Sequence, residues 1–140
     1  MNWLKKYALY FAWLVSLVGL FVSLFVSEFL SYEPCPLCWY QRIALFPLAL
    51  LLGIATYRQD KSFVLYGFAL AAMGEFFALY QVLERRFPAL QTLPLCGSSG
   101  RCDEPVFQWF GFLTFPAISA IGFAMIGGLL LAARKRVRSR

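Results

Sequence analysis

Histidine is absent from this 140-residue chain, and charge is scarce, at 14% of residues. A soluble domain carries about 25% charged residues and roughly 45–50% apolar ones, whereas here 61% are hydrophobic. Without histidine, the zinc reading is that two cysteine pairs could in principle make an all-thiolate tetrahedral site. The four cysteines fall in two pairs separated by two long apolar runs, which does not favour one tetrahedral site. The apolar runs are nearly empty of polar side chains, which argues against a transporter or channel, whose pathway needs them. Tandem repeats and low-complexity segments are missing. The longest polar connection, about residues 83–109, is too short for a separate soluble domain.

The hydrophobic residues themselves are gathered into four stretches, about 7–27, 41–57, 62–82 and 110–133. Each is long enough, or nearly so, to cross a bilayer, which takes about 20 mostly apolar residues. Backbone groups in lipid must be paired internally, so these spans are expected to be helices. Lys5 and Lys6 resemble the start of a signal peptide. The apolar run behind them is longer than the usual h-region of about 7–15 residues, and no clean small-x-small site follows, so it reads as a retained helix. Small residues recur at helical spacing: Ala12, Ser16, Gly19, Ser23 and Ser27; Gly67, Ala71, Gly74 and Ala78; Ala117, Ala120, Ala124 and Gly127. Such faces let helices approach closely in lipid. The expected fold is an all-α integral membrane protein, a four-transmembrane-helix bundle forming a single membrane domain.

Lysine and arginine orient it. Nine of the thirteen (Lys5, Lys6, Arg58, Lys61, Arg134, Lys135, Arg136, Arg138 and Arg140) fall on one side of such a bundle, and Arg42, Arg85, Arg86 and Arg101 on the other. The positive-inside rule then places both termini in the cytoplasm. The net charge of +6 reads as topology and contact with anionic lipid rather than nucleic-acid binding. Two outer loops, about residues 28–40 and 83–109, carry all four cysteines: Cys35 and Cys38 in the first, Cys96 and Cys102 in the second. Disulfides persist in oxidising compartments, so cysteine placement and charge agree. Four cysteines allow three pairings, of which the local ones, Cys35–Cys38 and Cys96–Cys102, are the simplest.

Structural staples are one reading of these pairs. Against it, a C-x-x-C ring closes a very small loop and restrains little chain entropy. Redox exchange is the other. Cys38 stands where the second span begins, at the positive end of a helix dipole, and Arg42 follows at i+4 on the same helical face. A thiolate there is favoured by both. Pro34 and Pro36 are expected to keep the approach extended, and Pro47 to kink the span. Glu75 reads as the only acid inside a span, which makes it a functional candidate. Val106–Phe110 reads as an interfacial segment.

The segment Glu33-Pro-Cys-Pro-Leu-Cys-Trp-Tyr-Gln-Arg42, together with Cys96, Cys102 and the four-span layout, resembles the DsbB/BdbC family of disulfide-bond formation proteins over essentially the whole chain. The close spacing of Cys96 and Cys102 is more similar to the compact BdbC type than to enterobacterial DsbB. The resemblance implies a thiol:quinone oxidoreductase of the bacterial cytoplasmic membrane. A DsbA-like thioredoxin-fold partner is oxidised at Cys96–Cys102, the electrons pass to Cys35–Cys38, and a membrane quinone beside Arg42 receives them from Cys38. Gln81 stands where enterobacterial members carry a histidine and is a candidate quinone ligand, with Glu75 a weaker one. No metal is implied. A vitamin K epoxide reductase-like enzyme shares the bundle, the C-x-x-C and the quinone, but there the loop pair precedes the C-x-x-C. A non-catalytic protein with structural disulfides is the other alternative.

Overall fold

The computed structural model describes residues 2–29, 31, 35–58, 62–87, 89–90 and 115–138. They form four α-helices: α1 (Asn2–Phe29), α2 (Pro36–Arg58), α3 (Phe63–Arg86) and α4 (Phe115–Arg138). All four are long and apolar enough to cross a membrane. Neighbours in the bundle are α1–α2, α2–α3, α3–α4 and α4–α1, a closed ring of helices. Large apolar side chains such as Phe21, Leu50 and Phe76, each 65% exposed, cover the outside. An outer surface of that kind suits hydrocarbon rather than water.

The interior is built from small residues and a few large ones. Ala12 and Ser16 of α1 are fully buried, and Gly67, Ala71, Gly74 and Ala78 form the buried stripe of α3. Leu48, Leu52, Ile126 and Leu130 fill the space those stripes leave. Between helices in lipid, such close packing supplies the attraction that the hydrophobic effect supplies in water. The fourth helix departs from the small-residue pattern. Ala120 is buried but Ala124 is exposed, and the inward face instead carries Phe123, Ile126 and Leu130. The reason is at Gly74, where the missing side chain leaves room for the Phe123 ring.

Two helix boundaries bear on function. The second helix begins at Pro36, ahead of the Gln41 boundary read from hydropathy, and runs through Pro47 to Arg58 without interruption. Pro36 occupies the first helical position, where its fixed φ is favourable and its missing N–H costs nothing. The carbonyl of Cys35 accepts from Trp39 N at 3.1 Å, and the Cys35 sulfur accepts from Cys38 N at 3.4 Å. Cys35 is therefore the helix N-cap, with a sulfur in the place usually taken by a side-chain oxygen. The third helix extends to Arg86, so Glu84, 3% exposed, joins Glu75 as an acid within it.

Candidate functional site at the head of α2

Capping by Cys35 brings the two sulfurs of the C-x-x-C together. Both are free thiols, and Cys35 Sγ donates to Cys38 Sγ across 2.9 Å. Cys35 is buried and Cys38 half-buried. Leu37 lies beneath them, fully buried, with Phe77 and Tyr80 of α3 packed against the pair. Tyr40 stacks on Phe77 at a centroid distance of 5.1 Å, which fixes the first turn of α2 to α3. The hydrogen bond to Cys38, burial and the charge of Cys38 push the Cys35 thiol well above the usual range. Cys35 thus holds its proton and Cys38 is the sulfur placed to carry negative charge.

Two buried carboxamides stand behind the sulfurs. Gln81 is 3% exposed and Gln41 8% exposed. Gln81 Nε2 lies 3.3 Å from Cys35 Sγ and 3.6 Å from Cys38 Sγ. Gln41 Nε2 donates to Gln81 Oε1 at 2.8 Å, and Ser119 Oγ donates to Gln41 Oε1 at 2.8 Å. This line of polar contacts crosses the bundle from α4 through α2 to α3. Gln41 and Ser119 were not among the sequence-based candidates. Their signal was a polar residue directly before Arg42, and a serine three residues after the proline in the first turn of α4.

Arg42 faces the other way, towards α1. Its Nε donates to Ser23 Oγ at 2.9 Å, a terminal nitrogen donates to Ser23 O at 2.6 Å, and the guanidinium lies 5.7 Å from the Trp39 ring centroid. These contacts hold a charged group at the edge of a cavity of about 290 Å³ between α1, α2 and α4. Cys38, Gln41, Arg42, Ser23 and Ser119 line its polar end, and Val15, Val18, Val22, Val26 and Leu45 line much of the rest. Cys35, Gln81 and Glu75 do not line it. Glu75 sits on α3, half-buried, with its Oε2 buried and without a hydrogen-bond partner among the described residues. Cys96 and Cys102, and the segment from Val106 to Phe110, lie outside the described residues.

Such a bundle, with a thiol pair capping one of its spans, is a multi-pass membrane protein carrying a cysteine pair. The model of the family described as "Disulfide bond formation protein DsbB" matches residues 5–133, and the chain belongs to that family. It is 46% identical over 132 residues to a probable disulfide formation protein of Chlamydia muridarum, covering 94% of this chain and 96% of the relative. It is 38% identical over 126 residues to probable disulfide formation protein C 2 of Bacillus cereus, covering 90% of each. It is 40% identical over 131 residues to a probable disulfide formation protein of Coxiella burnetii, covering 93% of this chain and 89% of the relative. No solved structure matches the chain.

Proposed function

We propose that this disulfide formation protein is a protein-dithiol:quinone oxidoreductase, and that Cys38 is the thiol that delivers electrons to the quinone. The observation that carries this reading is Cys38 at the polar end of a largely apolar cavity that Arg42 also lines. The lining fits a quinone. Arg42 and Gln41 each carry more N–H donors than their contacts within the bundle use, of the kind a carbonyl oxygen needs, and the valines suit a ring and the start of an isoprenoid tail. Anchoring by Ser23 spares Arg42 the entropy of ordering a long side chain.

In this reading both termini are cytoplasmic and the cysteine pairs are extracytoplasmic. A reduced thioredoxin-fold partner attacks the Cys96–Cys102 disulfide, and each subsequent exchange is attack of a thiolate on a disulfide sulfur. The partner leaves oxidised, and Cys96 and Cys102 become thiols that reduce Cys35–Cys38. Closing Cys35–Cys38 again releases two electrons and two protons, which a bound quinone accepts to become the quinol. Cys38 provides the sulfur at the cavity, Cys35 gives up its proton as the S–S bond forms, and Arg42 offsets negative charge at the cavity's polar end.

The test is quinone reduction by the purified protein with a reduced thioredoxin-fold partner, comparing wild type with Cys38→Ser. Turnover is expected to vanish in the variant. Turnover that survives the loss of Cys38 rules out the assignment.

A further inference from the structure

The contacts behind the sulfurs have a direction. A carboxamide presents an acceptor at one end and two donors at the other, and a buried one must satisfy both. The Ser119 hydroxyl on Gln41 Oε1, at 2.8 Å, leaves Gln41 Nε2 for Gln81 Oε1, at 2.8 Å. That in turn leaves Gln81 Nε2 for the sulfurs, 3.3 Å from Cys35 and 3.6 Å from Cys38, nearer than Gln81 Oε1, which lies 4.0 Å from Cys38 Sγ. Donors aimed at sulfur favour the thiolate over the thiol. Ser119 is also placed to reverse the series, because its Oγ lies 3.0 Å from the Pro116 carbonyl. A hydroxyl turned to Pro116 accepts from Gln41 instead. Both carboxamides then turn over, and Gln81 presents an oxygen to the cysteine pair, which suits an S–H donor.

We propose that Ser119 of α4 is a positioning residue for the cysteine pair on α2, acting through Gln41 and Gln81. Its hydroxyl sets the sense of the carboxamide chain, with Gln81 donating to a thiolate when the hydroxyl points to Gln41 Oε1 and accepting from a thiol when it points to the Pro116 carbonyl. Ser119 thereby links the protonation of the sulfurs to the fourth helix. Because Ser119 also lines the cavity, the same hydroxyl reports the state of the pair at the place where a ligand would sit.

The test follows iodoacetamide alkylation of Cys38 in the reduced, purified full chain across a pH series, read by peptide mass spectrometry. It needs neither quinone nor partner, so its outcome is independent of the oxidoreductase reading. The variants are Ser119→Ala and the isosteric pair Ser119→Thr and Ser119→Val. All keep Cys35, Arg42 and Tyr80, the titratable or charged neighbours described above on α2 and α3. Ser119→Ala and Ser119→Val are expected to react roughly five- to tenfold more slowly at neutral pH. The midpoint of their pH profile should move up by about one unit, because one unit corresponds to a tenfold change. Ser119→Thr keeps the hydroxyl and is expected to follow wild type. If Ser119→Ala does not fold, the comparison of Thr with Val decides. A wild-type profile in the variants lacking the hydroxyl overturns the proposal, as does an equal shift in Ser119→Thr.

Discussion

Cys35 caps α2 through its carbonyl and sulfur, while Cys38 sits in the first turn and lines the cavity. The two thiols therefore differ chemically although they are 2.9 Å apart. Cys35 is held above its ordinary range first by the hydrogen bond to Cys38, then by burial. A raised thiol loses its proton only at higher pH, so Cys35 is expected to stay protonated from about pH 7 to about pH 9, where an ordinary thiol near 8.5 titrates. Alkylation of the reduced protein should modify Cys38 at least about tenfold faster than Cys35 throughout that window, measured as the ratio of labelled peptides. Equal rates would contradict the asymmetry. Much of this was legible in the sequence. Arg42 at i+4 from Cys38 marks a shared face, whereas Pro36, read as part of an extended approach, is instead the first residue of the helix. The partners were not legible. That Ser23 would hold Arg42, or Ser119 reach Gln41, depends on which helices adjoin and at what height, and residue spacing within one helix is silent on both.

At the scale of elements, α3 and α4 pack closely where Gly74 faces Phe123. A methyl group on Gly74 would collide with the Phe123 ring, whereas one on Gly122 would meet no atom within 4 Å. Overpacking of this kind costs about 1–3 kcal/mol. Gly74→Ala is expected to lower the thermal midpoint in detergent, and Gly122→Ala to leave it unchanged or slightly raise it through the better helix propensity of alanine. Equal midpoints for Gly74→Ala and wild type would contradict the packing. The stripe of Gly67, Ala71, Gly74 and Ala78 was readable from its spacing because α3 buries one narrow face. The fourth helix misled the same reasoning. Its small residues recur at three and four, but the space opened by Gly74 is filled by an aromatic ring, so the buried face of α4 includes Phe123 and excludes Ala124. Hydropathy also placed the start of α2 too late, because Cys38, Trp39, Tyr40 and Gln41 at its head are less apolar than the run that follows.

Over the whole molecule, the four helices set a cysteine pair at one end of the bundle. The cavity between α1, α2 and α4 opens beside that pair, and its polar end gathers residues from three helices: Ser23, Arg42 and Ser119. No single segment contains the site, which explains why the motif on α2 was visible in the sequence while the cavity was not. The proposed function rests on the location of the pair. Structural staples would have no use for an apolar cavity beside one sulfur, whereas a pair that passes electrons to a lipid-soluble acceptor requires one. Thiol trapping in intact membranes tests this most directly. Cells are grown with and without quinone synthesis, thiols are blocked with a mass-shifting maleimide, and the state of Cys35 and Cys38 is read by gel shift. The pair is expected to be largely oxidised when quinone is present and to accumulate as the dithiol when it is withdrawn. A pair that stays oxidised after quinone withdrawal would contradict an electron path from Cys38 to quinone.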